Sequence, residues 1–324
     1  MRLRSCVFAA VMLLPLSCTS NEGADAADGQ ANEAAASGME TIEIPIRRAP
    51  VITVHDAGQQ PRQPLRIRVA AGMEEDLEMS VGMRMGMVSG AQEIPSVPVP
   101  LTKTRLHAKV ESVDDTGFQV RQSVTSVDVE AVEGSPPEVV DKVRESIAPL
   151  TSYTALMRMS DRGSVLGGQV EIPRDLPAVV HNTMQQMTQN LGQIAVPMPE
   201  PEVGVGARWT AVNEVPQNGM KLRQTADYTM ISRQGDDAVL EVSIVQELVD
   251  PEISVPGMMG AKARVSNFSS SGTGTVQLDL AHIAPRSMTM SMDLAMTMDI
   301  TVMGQHQHME MDMDIEMKIG LVDG

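Results

Sequence analysis

The sequence predicts a mainly β protein: one strongly bent antiparallel sheet or half-barrel with two packed helices, an α+β arrangement. Three observations lead there. Apolar residues recur at every second position over long stretches, the period of a half-buried strand. Short turns rich in Gly, Asn and Asp join those stretches, as in an antiparallel meander. Two segments switch to three-four spacing, the period of an amphipathic helix.

In chain order, Thr41 to Pro64 holds a short β-like piece (Ile42, Ile44, Ile46) and then Pro50, Pro61 and Pro64, so it reads as an extended arm. Regular structure is expected from Leu65. Leu77, Met79, Val81, Met83, Met85 and Met87 fall on one face, with Glu78, Ser80 and Arg84 on the other. Leu106, Ala108 and Val110 alternate with charged residues up to the turn Asp114-Asp115-Thr116-Gly117. The phase slips near Ser123 to Val127, which predicts a β-bulge. Trp209 and Ala211 lead into the Asn218-Gly219 hairpin signal; Met220 to Met230 and Ala238 to Leu248 continue the meander. At the end, Met288, Met290, Met292, Leu294, Met296, Met298, Ile300 and Val302 share one face, and Met309, Met311, Met313, Ile315, Met317, Ile319 and Leu321 return on it. Glu310, Asp312, Asp314 and Glu316 face the other way, so the pair reads as a hairpin with one thioether face and one acidic face.

The first helix is expected after Ser135-Pro136-Pro137-Glu138, which has capping-box spacing. Val139, Val140, Val143 and Ile147 line one face, and Pro149 ends it. The second is expected from a cap at Asp175 through Leu176, Val180, Met184, Met187, Leu191 and Ile194, with an uncharged polar face.

The N-terminus carries an address. Arg2 and Arg4 precede an apolar run from Val7 to Leu14, then Pro15-Leu16-Ser17-Cys18. The run is too short to span a bilayer, which takes about 20 apolar residues, and it has the parts of a secretory signal. Leu16-Ser17-Cys18 resembles the lipobox of bacterial lipoproteins, with Pro15 standing where that motif prefers Leu. The resemblance implies cleavage before Cys18 and lipid attachment at Cys18; an ordinary secretory signal is the alternative. Thr19 to Gly38 is polar and aperiodic and reads as a disordered tether. Thr19 is not Asp, which by the same resemblance implies the outer membrane. The expected division is residues 1–17 as signal peptide, 18–64 as lipidated cysteine, tether and arm, and 65–324 as a β-rich, half-barrel-like domain.

Composition narrows the function. The chain has 42 acidic and 25 basic residues, a net charge of −17. The signal segment removes two arginines and no acid, leaving 23 basic residues against 42. Such a charge argues against nucleic acid as a partner. Three Phe, two Tyr and one Trp argue against stacking-based recognition of sugars or single strands. Of the two cysteines, Cys6 lies in the signal segment and Cys18 is the expected lipidated residue, so the body stands on its core without a disulfide. No phosphate loop, nucleophile elbow or zinc helix occurs. The run Ser269 to Gly274 is expected to be turn chemistry, and no cofactor or catalytic residue is assigned.

The 27 methionines remain. They alternate in phase with Leu, Ile and Val, so they serve as the apolar residue of strands, filling a core or lining a groove. The candidate lining for an apolar ligand is Met79, Met83, Met85, Met288, Met290, Met292, Met296, Met298, Met309, Met311, Met313 and Met317. Thioethers also suit Cu(I), and His306, His308, Met309, Met311 and Met313 form the alternative metal set.

The lipobox, the polar tether, the Met-punctuated strands and the Pro-x-x-x-Val-Gly-x-Gly-x-x-Trp-like segment from Pro201 to Trp209 together resemble an uncharacterised family of bacterial lipoproteins. Long strands with a helical lid are more loosely similar to the half-barrels of the LolA and LolB lipoprotein carriers. The expected function is a non-enzymatic, membrane-anchored envelope lipoprotein, at the outer membrane with its body in the periplasm, binding a lipid or other apolar small molecule in the Met-lined groove. A Cu(I)-binding protein and a purely structural lipoprotein are the alternatives.

Overall fold

The computed structural model describes residues 38–44, 49–90, 92–174, 196–217, 220–254, 262–302 and 305–322, with positions 10, 11, 14, 15, 181 and 188. Cys18 and the tether therefore lie outside the described residues. The strands are β1 (Met39–Ile44), β2 (Val51–Asp56), β3 (Glu74–Ser89), β4 (Gln92–Asp114), β5 (Gly117–Glu130), β6 (Thr154–Met159), β7 (Val165–Pro173), β8 (Arg208–Gln217), β9 (Met220–Gln234), β10 (Asp237–Leu248), β11 (Glu252–Ser254), β12 (Lys262–Asp279), β13 (Ser287–Val302) and β14 (Gln305–Leu321). They form one antiparallel sheet in the order β1-β7-β6-β5-β4-β3-β14-β13-β12-β10-β9-β8-β2, with β11 paired to β12.

Two meanders make this sheet, β3 to β7 and β8 to β14. They join where the C-terminal strand pairs with β3, Met313 opposite Met85 and Ile319 opposite Met79. The arm expected before Leu65 supplies both edge strands: β1 pairs with β7 and β2 with β8. This connectivity forces curvature. The edges of a flat thirteen-strand sheet would stand about 58 Å apart at the usual strand spacing. Ile44 and Val51 are joined by only six residues, which span at most about 25 Å. The sheet therefore curls its edges toward one another, although it does not close.

The two packed helices of the expected α+β arrangement are not what the structure shows. The chain is mainly β, and the one helical element whose span is described is α1 (Pro137–Ile147), running into a 3-10 turn (Ala148–Ser152) that contains Pro149. Val140 and Val143 bury one face of α1. The expected capping box does not form, because the N-cap is Pro136 and has no side-chain donor or acceptor. The Ser135 hydroxyl instead donates to the Pro98 carbonyl at 3.3 Å. The second expected helix, 175–194, lies outside the described residues except His181 and Thr188.

The alternation of the strands is local and follows the pleat: Met311 and Met313 are buried, Asp312 and Asp314 exposed. The bulge expected near Ser123 to Val127 occurs at Thr125, since Arg105 faces Ser126 while Leu106 faces Val124. Ser269 to Gly274 is not a turn; it lies inside β12. Gly272 and Gly274 face Met292 and Met290 on β13, and a Cβ on either glycine would strike the neighbouring strand. Those glycines make room for thioethers on the inner face.

Among the described residues the buried apolar ones fall into four clusters, and two of them hold most of the clustered methionines. At one end Trp209 stacks on Tyr228 with ring centroids 5.4 Å apart, and donates from Nε1 to the Pro197 carbonyl at 3.1 Å, within a cluster that includes Leu65, Met230, Met288 and Met290. Toward the other end Met83, Met85, Met220, Met296, Met311 and Met313 share a second cluster. In the row of Leu294, Met313 and Met85 sits a buried polar chain: Gln246 donates to Gln224 at 2.9 Å and accepts from Ser270 at 3.0 Å. Nothing in the period-two pattern announces that interruption.

Candidate functional site

An apolar cavity of about 150 Å³ opens at the end of the sheet where β3 begins and β12 and β14 finish. Inward residues of five consecutive sheet strands wall it, among them Leu77, Ala108, Val120, Met157 and Val165. Leu278 and Ile319 come from the other meander, so the cavity straddles the junction of the two. A strap borders it through Ile67. Residues 65–73 run across the sheet end, with Ile67 N donating to Asp161 O at 2.7 Å, Arg68 N to Leu280 O at 2.7 Å and Gly72 N to Val110 O at 2.8 Å. Arg66 ties the strap to the 196–200 segment through the carbonyls of Pro199 and Glu200, at 2.9 and 2.7 Å. Val196 and Met198 of that segment enter the cavity wall.

The turn between β12 and β13 forms one side. Ile283, Ala284 and Pro285 face the cavity, and among the described residues Asp279, His282 and Gln122 are the polar side chains lining it. The turn is held from behind by Glu75 of β3, whose side chain is 3% exposed. Glu75 accepts from His282 Nδ1 at 2.9 Å, from Ile283 N at 3.0 Å and from Ala284 N at 3.4 Å. These bonds compensate the desolvation of a carboxylate on an inward position of a strand. Asp279 accepts from Arg286 Nη2 at 2.7 Å and from Ala281 N at 3.1 Å. Burial pushes the Asp279 carboxyl up, but those bonds and the charges of His282 and Arg286 outweigh it, so the group stays below its usual value and is ionised near neutrality.

Of the twelve methionines expected to line a groove, only Met79 borders this cavity. Met288, Met290 and Met317 pack in the Trp209 cluster, and Met83, Met85, Met296, Met298, Met311 and Met313 in the other. Met292 and Met309 are half-buried on the same inner face. Met157, Met159 and Met198 do line the cavity and carry no strong sequence signal, because Met157 and Met159 make only a pair at period two and Met198 stands alone.

The alternative metal set is split by the pleat. Met309, Met311 and Met313 point inward, whereas His308, adjacent to Met309, points out. His308 bonds Asp299 through Nδ1 at 2.8 Å and Glu310 through Nε2 at 3.3 Å, and His306 bonds the Thr301 hydroxyl at 3.0 Å. The imidazoles and thioethers thus lie on opposite faces of one strand.

No helix among the described residues is long and apolar enough to cross a membrane. No family model matches the chain, and no curated protein matches it. Among solved structures it is similar to OccK2 (OpdF) of Pseudomonas aeruginosa, at 7% identity over 77% of this chain and 98% of that one. The TM-score is 0.17, a likeness too slight to carry any argument about fold or function.

Proposed function

We propose that this protein is a non-enzymatic lipoprotein of the bacterial cell envelope, anchored in the outer membrane through Cys18 with its body in the periplasm, and that it binds an apolar ligand such as the end of an acyl chain. The binding half rests on one observation, the cavity of about 150 Å³ walled by aliphatic and thioether side chains. An apolar space of that size accepts a small hydrocarbon group. It matches roughly the last six carbons of a chain, as the benzene-sized cavity does, so the rest of a lipid would project through the open side. The anchoring half rests on the leader and on the Leu16-Ser17-Cys18 resemblance.

Organic extraction of the purified protein followed by mass spectrometry, together with titration of an uncharged fluorescent naphthylamine, tests the binding half. A co-purified lipid or saturable probe fluorescence, abolished by Val165→Phe, is expected. Absence of both overturns it. Incorporation of labelled palmitate, lost in Cys18→Ser, tests the anchor. The clustered methionines away from the cavity favour ordinary packing there, so the ligand reading is confined to the strap end of the sheet.

A further inference from the structure

The cavity is poor in anything that could receive an anion. Among the described residues lining it there is no lysine and no arginine, and one carboxylate, Asp279. The adjoining turn offers a run of backbone N–H groups, the kind of array that captures carboxylates and phosphates. Every one is engaged by the protein itself. Leu280 N donates to Asp236 O at 3.0 Å, and His282 N to Asp279 O at 3.0 Å. Ala281 N donates to the Asp279 carboxylate at 3.1 Å. Ile283 N, Ala284 N and His282 Nδ1 all donate to Glu75. Residue 285 is proline and has no N–H. The Arg286 guanidinium, outside the lining, stands 2.7 Å from Asp279 and 3.5 Å from Asp237. Glu75 thus occupies the place a ligand carboxylate would take on this turn, and an anion entering there would meet spent backbone donors and a like charge.

We infer that the cavity takes a single alkyl chain ending in a cationic, hydrogen-bond-donating group such as a primary amine, and rejects the carboxylate of the same chain length. The inference rests on the apolar-ligand reading above and names the ligand class of that site. Asp279 Oδ1 accepts from Ala281 N and Oδ2 from Arg286, with His282 Nε2 3.6 Å from Oδ2; each oxygen has two lone pairs, leaving capacity for an ammonium at the mouth. Asp279 is 11% exposed, so an ion pair there is less screened than one on the surface.

The test is displacement of the uncharged naphthylamine probe from the full-length protein by dodecylamine, dodecanol and dodecanoate at neutral pH. Dodecylamine is expected to displace the probe at about tenfold lower concentration than dodecanoate, a charge discrimination of about 1.4 kcal/mol. The gap is expected to narrow as salt is raised. Glu75→Ala frees three donors and should improve dodecanoate relative to dodecylamine; should that variant fail to fold, Asp279→Asn is expected to remove the amine preference while dodecanol displaces as before. Dodecanoate binding as tightly as dodecylamine in the unaltered protein overturns the inference and leaves the cavity reading intact. Failure of the probe and of all three amphiphiles to bind overturns both.

Discussion

Met313→Ala separates a thioether that packs from one that does something else. Met313 is 1% exposed and lies between Met85 on β3 and Leu294 on β13. The substitution removes the equivalent of three buried methylene-sized groups at about 0.8 kcal/mol each, to which incomplete collapse of the surroundings adds a cavity cost. The expected loss is about 3–4 kcal/mol, inside the range of about 2–5 kcal/mol for buried Met→Ala changes. In a chain of this size that lowers the melting temperature by roughly 6–16 °C, at about 2–4 °C per kcal/mol. Met313→Leu conserves volume and should cost less than about 1.5 kcal/mol. Met309→Ala, at a half-buried position nearer the hairpin tip, should cost well under half as much as Met313→Ala. Urea unfolding followed by fluorescence of the single tryptophan, Trp209, reads all three. That indole is fully buried beside Tyr228, so its emission should shift to the red on unfolding. A Met313→Leu variant as damaged as Met313→Ala would refute the packing argument, since it would show that sulfur rather than apolar volume is what the position requires.

Other expectations follow from single geometric facts. Gly274→Ala places a methyl against the Thr289 carbonyl and the Met290 sulfur, so it should destabilise by about 1–3 kcal/mol in the same urea assay. Truncation before Gln305 removes the strand that joins the two meanders, and should abolish cooperative unfolding rather than fray one end. Hydrogen bonds from His308 to Asp299 and Glu310, reinforced by their charges, hold the imidazole above its ordinary pKa. Its contribution to stability is therefore present below the unfolded-state value and fades as the pH rises through the raised folded-state value. An NMR titration of the His308 ring should show the raised midpoint, and Asp299→Asn should lower it.

Much of the sheet was legible because the pleat is a local property. Successive side chains of a strand point to opposite faces whatever the strand pairs with. The inward phase of Met288 to Met298 and of Met309 to Met317, and the bulge at Thr125, therefore follow from residues close together in sequence. The helices were harder. Ser135 has the right spacing for a cap, but the two prolines that follow start α1 one residue later and turn its hydroxyl to Pro98. Ser269 to Gly274 has the composition of a turn, and it becomes a strand because the facing methionines need the space a side chain would fill.

The one-dimensional pattern determined which faces of the ribbons are apolar, where most turns fall, and that sulfur would carry much of the interior. Tertiary structure alone decided that β14 lies beside β3, more than 200 residues earlier, and that the arm returns to form both sheet edges. It also gathered Leu77, Val165, Leu278 and the strap at Ile67 around one cavity, and set Glu75 behind its turn. The physical reason is that alternation is enforced by bonds within a strand, whereas the choice of neighbours depends on hydrogen bonds and burial shared between segments far apart in the chain.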